Sequence, residues 1–151
     1  MGEHRKNAVE GLVAAIEFSA INDEMSAVRV LLADDNARFR GLLRQLLERD
    51  PDIAVVAEAG DGSEAVDLSE EHSPDVVLMD LSMPGVDGLE ATYELKNRFP
   101  DLTVLMLSVG DKEQEIAAGL ARGASEYLIK GSPASEIVAA IKRHGQVAEN
   151  A

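Results

Sequence analysis

The sequence predicts an α/β fold: (βα)5, a doubly wound parallel five-stranded sheet. Two observations predict it. From Val28 onward, five short β-type runs alternate with five segments of helical periodicity. Most of the runs are nearly continuous in Val, Ile and Leu, as suits strands covered on both faces. Crossovers of this length between parallel strands are right-handed helices, and they cover both faces of one sheet.

The β-type runs are residues 28–33, 53–59, 75–79, 102–107 and 125–129. Between the first two, Phe39, Leu42, Leu43, Leu46 and Leu47 recur at i, i+3, i+4, i+7 and i+8, one stripe of a helix, with Pro51 beyond its end. Residues 62–72 carry Ala65, Leu68 and His72 on one side, and Pro74 stops them. Leu89, Thr92 and Tyr93 begin a third stripe, which Pro100 closes. Ile116, Ala117, Leu120 and Ala121 form a fourth, with Gly123 as a natural terminator. Pro133 suits the first turn of a fifth helix, with Ile137, Val138 and Ile141 facing inward. The strand order expected of this pattern is the flavodoxin-like 2-1-3-4-5, in which ligands sit beyond the carboxyl ends of the strands.

Residues 28–145 therefore make one domain, and 146–151 a tail or the start of a linker. Residues 1–27 form an N-terminal extension. Val9, Leu12, Val13 and Ile16 are spaced as a helical stripe there, while Met25 is an equally natural start just before the first strand.

Composition narrows the function. Of 151 residues 46% are apolar, enough for a core. No apolar run approaches the ~20 residues of a membrane span, and no secretory pattern is present, so a cytoplasmic protein without membrane contact is expected. The absence of cysteine excludes a disulfide framework and thiolate metal sites. A net charge of −14 argues against direct nucleic-acid binding, which needs clustered Lys and Arg. That acidity is either an ordinary solvated surface or a concentrated pocket for a divalent cation.

The carboxyl ends of the runs favour the pocket. The first ends in Asp34-Asp35, the third in Asp80, the fourth in Ser108 and the fifth in Lys130. In order 2-1-3-4-5 the first and third strands are neighbours, so the three carboxylates converge. They repel one another unless a hard cation occupies the site, and a donor set of oxygens alone points to Mg²⁺, with Mn²⁺ as the alternative. A single Asp there would be read as a helix start complementing the dipole; an acidic pair, a second strand-end Asp, a hydroxyl and a lysine together are read as a site. A carboxylate beside a metal can attack phosphorus and form an acyl phosphate, with the lysine and the hydroxyl taking other phosphoryl oxygens.

The segments LLADDN (31–36), VVLMDLSMPGVDGLEA (76–91), VLMLSVGD (104–111) and ARGASEYLIKGSP (121–133) resemble, in order and spacing, the receiver domain of two-component response regulators, and the last resembles its NarL/FixJ (LuxR-type) branch. The resemblance implies a phosphorylation switch in a two-component signalling system. Asp80 matches the phosphoacceptor, Asp35 a direct metal ligand, Asp34 a ligand acting through water, and the Ser82 backbone carbonyl the third protein ligand. Ser108 matches the switch hydroxyl, Lys130 the site lysine, Tyr127 the switch aromatic, and Pro84 and Gly88 the turn after the phosphoacceptor. It also implies a sensor histidine kinase as partner, a phosphorylation-dependent homodimer, and a transcriptional output through a DNA-binding domain not in the chain. A stand-alone receiver acting by docking is the alternative. Two departures concern loop geometry: Gly131, where a proline is common, and the small Gly110.

Competing classes fit less well. An aspartyl-phosphate phosphatase of the haloacid-dehalogenase type would carry a second Asp two residues after the nucleophile, where Ser82 stands. A flavin binder would carry a Ser/Thr/Gly-rich loop after the first strand, where Asp34 and Asp35 would repel phosphate. The expected protein is thus a signalling switch that assists its own phosphorylation and dephosphorylation, not an enzyme with a separate substrate.

Overall fold

A computed structural model describes residues 27–81, 83, 87–110 and 113–150. The expectations placed on residues 1–26, on Ser82 and on Pro84 lie outside the described residues.

The elements alternate strictly: β1 (Val28–Ala33), α1 (Ala37–Leu47), β2 (Ile53–Ala59), α2 (Gly62–His72), β3 (Val76–Asp80), α3 (Gly88–Arg98), β4 (Thr103–Ser108), α4 (Glu113–Ala121), β5 (Glu126–Ile129) and α5 (Ala134–Asn150). The five strands are parallel in the order β2-β1-β3-β4-β5, as the alternation predicts. Strand limits differ from the sequence reading by one residue at most; β3 and β4 each run one residue further and include Asp80 and Ser108.

Period-two alternation splits the core in two. Val30, Leu32, Val76, Leu78, Leu105, Leu107 and Leu128 face the side covered by α1 and α5, through Leu43, Leu47, Ile137 and Ile141. Leu31, Ala33, Val77, Met79, Val104 and Met106 face the other side, against Ala65 and Val66 of α2 and Ala91 and Leu95 of α3. Strands buried on both faces explain why their sequences lack a polar alternation.

Asn36, Asp61 and Asp87 start α1, α2 and α3. Each accepts a hydrogen bond from the backbone N–H three residues on, satisfying a donor that the first turn leaves unpaired. Ser73, in the left-handed region at φ 49, ends α2.

The helix faces correct several stripe assignments. Leu42, Tyr93 and Leu120 are exposed (57%, 59% and 44%), and Ala117 and Ala121 also face solvent. In α2 the predicted Ala65 is buried and Leu68 packs partly buried against the core, but His72 is not buried, and Gly62, Val66 and Ser69 complete the buried face; in α4 the buried positions are Ile116 and Gly119. The physical reason is spacing: small residues face the sheet, so the helices lie close to it. Gly119 packs on the Met106 side chain, where a Cβ would overlap the sulfur.

β2 carries a bulge. Val30 pairs with Val55 but Leu31 pairs with Ala57, so Val56 is the extra residue. The bulge reverses which face each later residue of β2 takes: Val55 belongs to the α1 side, Ala57 and Ala59 to the other. Glu58 is thereby turned toward α1.

Candidate functional site

All five strands point the same way, so their carboxyl ends share one edge of the sheet. β1 and β3 are neighbours there, and the chain leaves them in opposite directions, toward β2 and toward β4. Alternation fixes what projects from that edge. Asp34 continues the Val30–Leu32 parity, Asp80 the Val76–Leu78 parity, and Lys130 follows Leu128; all three emerge on the α1–α5 side.

The geometry agrees. One carboxylate oxygen from each of Asp34, Asp35 and Asp80 lies within 4.8 Å of the other two. Asp34 and Asp80 are buried at 2% and 3% exposure, while Asp35 is open to solvent. Lys130 reaches across with its Nζ 2.7 Å from Asp34 Oδ2 and 3.5 Å from Asp80 Oδ2. Its ammonium also stands 4.6 Å from the centre of the Phe39 ring, an attractive cation–π contact. Burial in the cleft pulls the lysine toward losing its proton; Asp34 and Asp80 outweigh that pull and hold its pKa above the ordinary lysine value.

Asp34 is fixed by its backbone and one oxygen. Its N–H donates to Ala59 O (3.0 Å), its Oδ1 accepts from Asn36 N (2.8 Å), and its carbonyl accepts from Arg40 Nη1 (2.5 Å). Asp34 Oδ2 is buried and has no aligned hydrogen-bond donor, although Lys130 lies at contact distance. The Lys130 contact is therefore an ion pair without hydrogen-bond directionality. A buried oxygen of this kind, among carboxylates and without His or Cys, fits a hard divalent cation such as Mg²⁺.

Ser108, buried at 2%, ends β4 one residue beyond the partner of Asp80, and its hydroxyl donates a long bond (3.3 Å) to Gly110 O. Gly110 adopts φ +76, which explains a glycine there in conformational terms. No cis peptide bond occurs among the described residues, those around Gly131 included. Tyr127, on β5, is 40% exposed. Gly88, at the start of α3, lies against the Asp80 carbonyl; a Cβ there would come within 2.9 Å of Leu81 Cα and closer still to that oxygen. This contact sets the path of the chain beyond Asp80.

Phe39, Arg40, Asn36 and Glu58 border this site, and the sequence reading gave none of them a part in it. The available signals were Asn36, a capping residue directly after the acidic pair, and Glu58, the one charged residue in the run 53–59.

A cavity of about 480 Å³ lies at the opposite edge of the sheet, lined by Ser69, Asp75, Phe99, Thr103 and His144 among others. It is remote from the acidic cluster. A site for one ion and one phosphoryl group requires no deep cavity, so the chemistry and not the volume locates the candidate site.

The profile of the response regulator receiver domain matches residues 30–142. The chain is 42% identical over 115 residues to the transcriptional regulatory protein DegU of Brevibacillus brevis, covering 76% of this chain and 49% of that protein. It is 44% identical over 115 residues to the transcriptional regulatory protein LiaR of Bacillus subtilis, covering 76% and 54%. The chain thus spans about half the length of the curated relatives it matches. Among solved structures, the signal receiver domain of the response regulator NarL from Mycobacterium tuberculosis is similar with a TM-score of 0.77 at 34% identity, covering 80% of this chain and 98% of that one. A LuxR-family two-component response regulator from Aurantimonas sp. gives 0.74 at 38% identity, covering 78% and 84%.

Proposed function

Since the chain belongs to the response regulator receiver domain family, with relatives of the NarL/LuxR type, we propose that it is a phosphorylation switch whose phosphoacceptor is Asp80. The observation that carries this reading is the convergence of Asp34, Asp35 and Asp80 within 4.8 Å at the β1/β3 edge, with Lys130 shared between the two buried acids.

In the proposed step an Asp80 carboxylate oxygen attacks phosphorus. A P–O bond forms and the bond to the donor breaks; its electron pair leaves with the donor, a phosphohistidine of a sensor kinase or a small phosphodonor. Mg²⁺, bound through Asp35, Asp80 and the Ser82 carbonyl, with Asp34 acting through water, would supply charge neutralisation for the phosphoryl oxygens. Lys130 is poised to pair with one of those oxygens, since its ammonium already stands 3.5 Å from Asp80. Asp34 holds the lysine in the cleft. Ser108 gives up a weak bond to Gly110 when its hydroxyl turns to a phosphoryl oxygen, and that turn draws in the loop before α4 and alters the surroundings of Tyr127. The aspartyl phosphate adds about −1.5 to −2 charges and three acceptor oxygens, enough to bias such a loop.

A transcriptional output is proposed by analogy with DegU and LiaR, which are transcriptional regulatory proteins. A phosphorylation-dependent homodimer through the α1–α5 surface belongs to the same proposal. The basic residues of α5 on that side are engaged within the chain, Lys142 with Asp50 and Asp52 and Arg143 with Glu126. For a partner copy the surface offers the exposed Leu42 and the rim of a cavity of about 60 Å³ between α1 and α5.

The test is intact mass after incubation with Mg²⁺ and a small phosphodonor. The expected result is one added phosphoryl group, removed by hydroxylamine and absent in Asp80→Asn. Uptake by Asp80→Asn at the wild-type rate would overturn the assignment.

A further inference from the structure

We propose that Arg40, tethered by Glu58, is a positioning residue that sets the turn after β1 so that Asp34 and Asp35 present their oxygens to a divalent cation. The inference rests on reading the acidic cluster as a cation site. It adds two residues that touch neither the cation nor the phosphoryl group.

A single guanidinium joins three pieces of chain. Arg40 Nη1 donates to the Asp34 carbonyl (2.5 Å) and, at longer range, to the Ala59 carbonyl (3.4 Å), while Nε donates to Glu58 Oε1 (2.9 Å). Arg40 therefore links α1 to the ends of both β1 and β2. The Arg40 and Glu58 side chains are only 18% and 26% exposed, so water competes weakly for these bonds. Glu58 is held in turn by Arg44 Nη1 at 2.8 Å. The β2 bulge makes the arrangement possible, because regular alternation after Val55 would send Glu58 to the face away from α1.

The need for such a clamp follows from charge. Three clustered carboxylates repel, and the turn carrying two of them relaxes outward unless its backbone is held. Groups that orient metal ligands from behind typically change metal affinity by about 10–100-fold when removed. Lysine does not replace arginine here, since a point ammonium lacks the planar fork that reaches two carbonyls and a carboxylate together.

Positioning and charge predict opposite signs. On Coulomb grounds alone, removing the Arg40 cation would tighten binding of another cation. On positioning grounds its removal weakens binding. The experiment is a Mg²⁺ titration of the whole chain followed by the backbone amide shifts of Asp35 and Asn36, because the chain has no tryptophan to serve as reporter. Arg40→Gln is expected to weaken Mg²⁺ about 10-fold with an unchanged circular dichroism spectrum. Arg40→Lys is expected to weaken it by at least about 3-fold, short of the full loss. Affinity equal to or tighter than wild type in both variants overturns the proposal, even if melting temperatures fall. If Arg40→Gln does not fold, wild-type affinity in Arg40→Lys overturns it alone. A Mg²⁺ response that survives undiminished in Asp35→Ala would instead sink the cation-site reading, and the positioning role with it.

Discussion

Lys130 is the cation shared by two buried carboxylates, and its ammonium lies over the Phe39 ring. Lys130→Met keeps much of the stem and removes the charge. Leaving a buried charge unpaired costs about 3–5 kcal/mol in a dry interior; the cleft is open on the Asp35 side, so a loss of about 2 kcal/mol is expected in Mg²⁺-free urea unfolding. Added Mg²⁺ should restore most of it, because a cation then faces the same acids. Coincident wild-type and variant midpoints without Mg²⁺ would contradict this. Ser108 acts differently, since its hydroxyl makes a long 3.3 Å bond to Gly110 O. Ser108→Ala should still take up phosphate on Asp80 yet lose the amide-shift changes around β4 and Tyr127 that accompany phosphorylation in the wild type. Identical shift changes in both proteins would uncouple Ser108 from the switch.

At the scale of elements, small residues decide how close the helices come. Gly88 and Gly119 both leave no room for a Cβ, but what they meet differs. Gly119 meets the side chain of Met106, which can move; Gly88 meets the backbone of Asp80 and Leu81, which cannot move without displacing Asp80, the proposed phosphoacceptor. Gly88→Ala is therefore expected to lower stability by about 3 kcal/mol and to abolish phosphoryl uptake. Gly119→Ala should lower it by about 1 kcal/mol and leave uptake intact, since overpacking at about 1–3 kcal/mol is offset by about 1 kcal/mol of helix propensity. Urea midpoints and intact mass check both. The stripe of α1 gives a second contrast. Leu43→Ala, at a buried position, should cost about 2–5 kcal/mol, whereas Leu42→Gln, at a position 57% exposed, should stay within about 0.5 kcal/mol. The 3.6-residue period was legible in all five helices, and in α2 and α3 the predicted Ala65, Leu68, Leu89 and Thr92 do lie on or against the core, but the stripes also took in the exposed Tyr93 and Leu120. Hydrophobicity ranks Tyr93 and Leu120 above Ala91 and Gly119; the distance between helix and sheet ranks them the other way.

For the whole molecule, acid ties several ion pairs to pH. The Arg44 guanidinium, helped by Arg40, holds Glu58 below the usual glutamate range, and Arg143, helped by His144, does the same for Glu126. Lys142 lowers Asp50 likewise. A carboxylate lowered by folding contributes stability in full above its unfolded pKa, near 4.3 for glutamate, and loses it as pH falls through the folded value. Arg44 and Arg143 are 40% and 56% exposed, so solvent limits the Arg44–Glu58 and Arg143–Glu126 pairs to about 1 kcal/mol or less. The melting temperature should be flat from pH 7 to 5 and fall below about pH 4.5. Glu58→Gln should melt lower at pH 7 and show a shallower acid limb, and parallel melting curves would exclude the Glu58 contribution.

The sequence by itself determined the (βα)5 alternation, the strand order, and the identities of Asp34, Asp35, Asp80, Ser108 and Lys130 as the residues at strand ends. It could do so because periodicity and strand-end position are local properties, and parallel strands bring all carboxyl ends to one edge whatever the details. Tertiary structure alone decided which carboxylate Lys130 sits closest to, which helix faces lie inward, and that Arg40 and Glu58 stand behind the acidic pair. Those outcomes depend on distances between segments far apart in the chain. They depend also on one inserted residue, Val56, whose bulge turns Glu58 to the α1 face, and nothing in the pattern of β2 marks it.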